Sequence, residues 1–197
     1  MPSDDSFHIL FVCHANLCRS PLAERLARRA FDETFGVLGS VVETTSAGTH
    51  AYEGEAMHRG SATVLANEGI DPTGFVTRTV GPRVLADADL VLTAGREHRA
   101  ACVTLAPGKV KQAFTLRQFT RMVSEIPAPA GLAERTVPDR MHALVEQVNA
   151  NRHLVSPVPA EQDDLPDPVN QPIEAFEACA AEIRQSLAAV MRVIAVA

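Results

Sequence analysis

Cysteines are few in this sequence: four, at positions 13, 18, 102 and 179, with neither the spacing of a disulfide framework nor the paired spacing of a zinc site. That argues against a disulfide-stapled secreted domain and for a reducing, cytoplasmic compartment, and it implies no metal and no other cofactor. Basic residues are outnumbered, 18 against 24 acidic, for a net charge of −6. No nucleic-acid footprint is expected from that balance. No apolar run approaches the length of about 18 residues or more that a membrane span needs. The first residues, Met1 to Asp5, are acidic and the apolar run after them is short, so no secretory signal is expected. Internal repeats are absent, and nothing in the sequence speaks to an oligomeric state.

What is present fits one domain over 1–197, with a core of ordinary size: 46% of residues are hydrophobic and 21% charged. Strands are expected over about 7–12, 41–45, 89–93 and 109–114, and helices over about 21–35, 56–69, 96–105 and 116–122. Gly69 before Ile70-Asp71-Pro72 is a helix stop, and Gly81-Pro82 opens a short helix. This alternation predicts an α/β fold with a parallel sheet and right-handed crossovers, whose ligand sits beyond the carboxyl ends of the strands. From about 121 to 162 the rhythm breaks into a Pro-rich segment with one amphipathic stretch, Met141, Leu144, Val145 and Val148. It reads as an insertion of peripheral or functional character. A final helix from Pro172 carries a core stripe: Ile173, Phe176, Ala180, Ile183, Leu187, Val190 and Ile194.

The chain turns on Cys13-His14-Ala15-Asn16-Leu17-Cys18-Arg19-Ser20, between the apolar run Phe7–Val12 and a helical pattern that opens at Pro21. A strand-loop-helix turn of this kind points successive backbone amides and a helix N-terminus into one concavity suited to an anion. Cys13 at its start stands among groups that favour a thiolate nucleophile. Arg19 at its end offers a planar fork that fits two oxygens of a phosphate or an arsenate.

Phe11-Val12-Cys13 through Arg19-Ser20-Pro21-Leu22-Ala23-Glu24 closely resembles the phosphate loop of the low-molecular-weight protein tyrosine phosphatases, a fold shared with thioredoxin-coupled arsenate reductases. Ser46-Ala47-Gly48-Thr49, Gly69-Ile70-Asp71, Asp87 to Leu92, Arg96-Glu97-His98 and Leu165-Pro166-Asp167-Pro168 look like further family segments. The resemblance covers about 7–119 and 163–195 and implies a four-stranded parallel sheet with helices on both faces. It further implies a phosphomonoester hydrolase in which Cys13 is the nucleophile, Asp167 the general acid and base, and Arg19 the oxyanion clamp. By the same resemblance Ser20 bonds the Cys13 sulfur, and Asn16, in a left-handed conformation, pins the loop with Ser46 as partner. Residues 14–19 would cradle the substrate phosphate, with His14 on the rim and Tyr52 as an aromatic wall or a packed ring. The implied partner is a phosphorylated protein or a small aryl phosphate.

Several positions depart from the family pattern. Ala15 stands where a Gly is usual, Glu68 where a His is frequent, and Val169 and Asn170 where aromatics commonly follow the Asp-Pro pair. Asp163 and Asp164 are rivals to Asp167, which is preferred because Pro168 stiffens the loop and biases it to an extended backbone. Cys18 reads either as a redox partner for Cys13 or as a buried thiol lining the loop. An arsenate reductase is the alternative enzyme, weakened by the solitary Cys102 where a relay needs a nearby pair. A non-catalytic phosphate-binding module is the third reading, weakened by intact Cys13, Arg19 and Asp167.

Overall fold

The structure, a computed structural model, describes residues 6–195. The acidic segment Met1–Asp5, used above to argue against a secretory signal, lies outside them. The first apolar run becomes β1 (Phe7–Cys13), followed by α1 (Arg19–Phe35) and β2 (Val42–Gly48). Then come α2 (Arg59–Asn67), α3 (Pro82–Ala86), β3 (Leu90–Thr93), α4 (Arg96–Leu105) and β4 (Ala113–Thr115). The chain closes with α5 (Leu116–Glu125), α6 (Val137–Ala150), α7 (Ala160–Asp163) and α8 (Ile173–Ile194). The four strands form one parallel sheet in the order β2-β1-β3-β4.

β1 is central, and its side chains divide by the two-residue period of a strand. Phe7, Ile9, Phe11 and Cys13 enter the larger core, with α1, α5, α6 and α8. Leu10 and Val12 enter a smaller one with Leu85, Val91, Cys102 and Ala113. Helices therefore cover both faces, which is why β1 reads as a continuous apolar run rather than an alternation. Register pairs Cys13 with Gly48 and Val12 with Thr93, so the strand ends that carry the loop lie side by side. Among the described residues no helix is long and apolar enough to cross a membrane.

Three expectations change. The strand expected over 109–114 shrinks to Ala113–Thr115, because Pro107–Lys111 winds into a 3₁₀ turn. Its Lys109 reaches back to the carbonyls of Ala86 and Ala88, a use that a buried strand would forbid. Ile173, placed in the core stripe of the last helix, is 37% exposed at the first position of α8, and the buried face begins at Phe176. The segment 121–162 is not peripheral throughout. In α6, capped by Thr136, the residues Met141, Leu144, Val145 and Val148 all join the larger core, and His142 meets Phe7 edge-on at 4.8 Å.

If α6 is part of the core, truncating its largest fully buried residue opens a cavity beneath the sheet. Met141→Ala should lower unfolding free energy by about 2–5 kcal/mol in urea denaturation. A loss below about 0.5 kcal/mol, the range of a surface site, would contradict this packing.

Candidate active site

The loop between β1 and α1 is built outward from Asn16. This residue is fully buried at φ 56°, a left-handed conformation that Asn tolerates because its short amide bonds locally. Its Nδ2 donates to Ser20 Oγ and to Ser46 Oγ, each at 2.9 Å, and its Oδ1 accepts from the Arg78 amide at 2.9 Å. Ser46 in turn donates to Glu24 Oε2 at 2.6 Å, and burial raises the Glu24 carboxyl above its usual range. Arg78 Nε also donates to the Ser46 carbonyl at 2.7 Å. Motif reading identified Asn16 and Ser46. Glu24 closes the loop segment quoted from the sequence, with no role assigned to it there; Arg78 carries no motif, since it contributes largely through its backbone.

The loop carbonyls turn outward. Those of Cys13, His14 and Leu17 accept from the amides of Thr49, His50 and His58 at 2.8–3.0 Å. Among the described residues, the amides of His14 through Cys18 have no protein acceptor, so they remain donors for an oxyanion. The first turn of α1 has no side-chain cap, which leaves its positive end facing the same point. Gly48 makes this curl possible: a Cβ there would lie 2.6 Å from the His14 carbonyl oxygen and 2.7 Å from the Asn16 amide. Ala15, by contrast, is accommodated in the place where a Gly was expected.

Cys13 Sγ lies 3.0 Å from Ser20 Oγ, the contact the resemblance implied. Because Ser20 already accepts from Asn16, its own proton is directed either to the sulfur or to the Ala47 carbonyl at 3.3 Å. Arg19 is buried; one terminal nitrogen donates to the Leu165 carbonyl at 3.1 Å and the other to Asp167 Oδ2 at 2.5 Å. Its buried Nε has no protein partner. Asp167 is half-exposed, and its other oxygen accepts from the Val169 amide at 3.2 Å. The structure thus brings Cys13, Ser20, Arg19 and Asp167 into one cluster.

The rival carboxylates serve the scaffold. Asp163 is 2% exposed and is clamped by Arg96 at 2.8 Å and Arg121 at 3.0 Å. Asp164 accepts from the Arg96 amide at 2.7 Å, at the start of α4. With the Leu165 amide on the Ala94 carbonyl at 2.7 Å, they dock the second loop against the end of β3.

Rim residues differ from expectation in detail. His14 is exposed and stacks on His50 at 4.5 Å between ring centroids. Leu17 and Ala15 are half-buried. Tyr52 is not a packed ring, being 84% exposed, and only its carbonyl is engaged, by Thr77. Glu68, in place of a His, pairs with Arg184 of α8. Cys18 is a free buried thiol, pushed up to about 12 by burial first and then by Asp167 and Cys13; Cys13, Cys102 and Cys179 are free as well. Among the described residues no group of three or more His, Cys, Asp or Glu could hold a metal ion.

The family model described as low molecular weight phosphotyrosine protein phosphatase matches residues 8–153, and so extends through much of the segment that motif reading left unmatched. The chain is 31% identical over 121 residues to the low molecular weight protein-tyrosine-phosphatase Etp of Escherichia coli K12, covering 61% of this chain and 76% of that one. A low molecular weight protein tyrosine phosphatase from T. tengcongensis superposes with a TM-score of 0.67 at 26% identity, over 95% of this chain and 99% of the other. The YwlE arginine phosphatase of Geobacillus stearothermophilus shares the fold, with a TM-score of 0.66 at 24% identity over 94% and 91% of the two chains.

His98, of the segment Arg96-Glu97-His98, lies beside the loop, its ring centroid 6.4 Å from that of His14. It is buried, and its imidazole is held down to about 4, by burial first and then by Arg19, with exposed Glu97 at 3.4 Å opposing. An unfolded imidazole titrates near about 6.5, so below that pH the unfolded chain takes up this proton before the folded one. The stability that depends on neutral His98 is complete above about pH 6.5 and is lost progressively as pH falls to about 4. His98→Gln should flatten the unfolding free energy across that window in denaturant titrations. An unchanged slope would contradict a buried neutral imidazole.

Proposed function

The chain belongs to the low molecular weight phosphotyrosine protein phosphatase family, and we propose that it hydrolyses phosphotyrosine in proteins, or simple aryl phosphates, through a phosphocysteine on Cys13. The observation that carries this reading is the shared guanidinium: Arg19, at the end of the phosphate loop, holds the Asp167 carboxylate at 2.5 Å. Nucleophile, oxyanion clamp and proton donor are thereby within one substrate's reach.

In the first step the Cys13 thiolate attacks phosphorus and the bond to the bridging oxygen breaks. Free amides of the loop, with Arg19 Nε and its terminal nitrogen, stabilise the equatorial oxygens as charge shifts onto them. The incoming phosphate competes with Asp167 for the same guanidinium nitrogen and so frees the carboxyl. Protonated, Asp167 gives its proton to the departing phenolic oxygen; as carboxylate it then takes one from the water that attacks the phosphocysteine. Ser20 stabilises the sulfur as leaving group in that second step. Leu17 and Ala15 border the mouth, Cys18 lines the loop as an inert thiol, and His14 and Tyr52 stand where a substrate's flanking groups would pass.

This reading outranks arsenate reduction because Cys102 lies in the smaller core, on the opposite face of the sheet from Cys13, with its thiol pushed up to about 12 by burial. A thiol so placed is a poor relay. A cytoplasmic setting agrees with a thiol nucleophile and with cysteines that are all free.

Asp167 gives the sharpest test because its role depends on the leaving group. Asp167→Asn should slow phosphocysteine formation by about 10²–10⁴ on phosphotyrosine. On a nitrophenyl ester, whose phenolate departs unaided, the loss should be much smaller. Single-turnover or burst measurements isolate this step from hydrolysis, which also uses Asp167. Asp164→Asn should show no leaving-group dependence. A dependence at Asp164 and none at Asp167 would overturn the assignment.

A further inference from the structure

A second cationic cavity lies between α4, α5 and the segment that follows α6, and shares no lining residue with the phosphate loop. It is a cleft of about 410 Å³ walled by four guanidiniums, Arg96, Arg99, Arg121 and Arg152, against a single lining carboxylate, Asp163. In a chain of net charge −6 this local excess of positive charge is unusual.

The four arginines are not equivalent. Arg96 and Arg121 spend their charge on Asp163, and they also donate to the carbonyls of Val158 and Ser156. Arg99 and Arg152 have no carboxylate at ion-pair distance among the described residues. Arg99 is tied only through Nε, to the Ala113 carbonyl at 2.7 Å, which leaves both terminal nitrogens without a protein partner. Arg152 Cζ lies over the Phe114 ring, 4.3 Å from its centroid; one terminal nitrogen donates to the Val110 carbonyl at 3.5 Å, and its buried Nε has no partner. Burial disfavours the charged form of both, and the Arg99 charge further disfavours that of Arg152. Two half-buried like charges held together without a counter-ion are costly unless a ligand neutralises them.

The remaining wall indicates what such a ligand carries. Met122, Val155 and Pro157 give an apolar side, and the volume far exceeds one oxyanion and falls in the range of small-molecule sites. We propose that this cleft binds a phosphate-bearing small organic molecule, its phosphate held between Arg99 and Arg152 and its organic part lying against Met122, Val155 and Pro157. A phosphate set between the two planar forks supplies the anionic partner that Arg99 and Arg152 lack within the protein. Arg96 and Arg121, already committed to Asp163, form the back of the site. This inference does not rest on the proposed phosphatase chemistry: Arg96, Arg121 and Asp163 also brace the loop that carries Asp167, but Arg99 and Arg152, which would hold the phosphate, have no part in that brace.

Calorimetric titration of the full chain with AMP tests it, using Cys13→Ala/Arg19→Met so that the phosphate loop neither turns over nor binds. One AMP per chain should still bind, and more tightly than inorganic phosphate. Adding Arg99→Gln and Arg152→Gln should weaken that binding by about tenfold or more. Arg152→Lys alone, which keeps the charge over Phe114, should weaken it less. In the otherwise native chain the Arg99→Gln/Arg152→Gln pair should retain aryl phosphate turnover, which guards against misfolding. Absence of AMP binding in the Cys13→Ala/Arg19→Met protein, or binding indifferent to Arg99 and Arg152, would overturn the site. Equal affinity for AMP and inorganic phosphate would overturn the organic-phosphate assignment.

Discussion

Everything at this site depends on one buried amide. Asn16 sits at a left-handed backbone angle that most residues with a Cβ adopt only at a cost, and its amide bonds Ser20, Ser46 and the Arg78 backbone at once. Each of those bonds is worth about 1 kcal/mol net, yet leaving any such buried group unpaired costs more, about 1–3 kcal/mol. The loop thus has one well-satisfied conformation. That conformation turns the carbonyls of Cys13, His14 and Leu17 outward and so aims the intervening amides inward. Preorganisation of this kind is where an oxyanion site gains its power, because the donors need not reorganise as charge develops.

The second loop is held with comparable care, by a different means. Asp163 and Asp164 anchor it to α4 and α5 through Arg96 and Arg121, and the Leu165 amide and carbonyl bond Ala94 and Arg19. Asp167 is left at the end of this brace, half-exposed, with a single strong contact to Arg19. The neighbouring carboxylates are therefore held differently: Asp163 is buried between two arginines, whereas Asp167 is accessible and, in the proposed chemistry, free to exchange partners. Glu24, whose carboxyl burial raises, accepts from Ser46 behind the loop, and His98 is a buried imidazole held down to about 4.

How much of this was legible in the sequence follows from how local each feature is. The phosphate loop is contained in Cys13–Ser20, and its strand and helix flank it directly, so spacing alone exposed it. The left-handed Asn16 and its Ser46 partner came from resemblance, as did Asp167, 148 positions from Arg19. Arg78 escaped notice because its contribution to Asn16 is a backbone amide, which any residue type could supply. The place of α6 was half legible: its apolar face was apparent, but the surface it would cover was not, since Phe7 lies far away in sequence. The arginine cleft was invisible for the same reason, because its walls come from α4, α5 and residues 152–163. Ile173 misled because periodicity marks a face and cannot say where burial along that face begins.

The claim on which this account rests is a covalent phosphocysteine at the centre of the Asn16-pinned loop. Rapid acid quenching of the protein during turnover of a ³²P-labelled aryl phosphate, followed by peptide mapping, tests it directly. Label should appear on the peptide holding Cys13, at a rate no slower than turnover, and be absent from Cys13→Ala. Turnover without any labelled enzyme, or label mapping to His14, Asp167 or another residue, would contradict it.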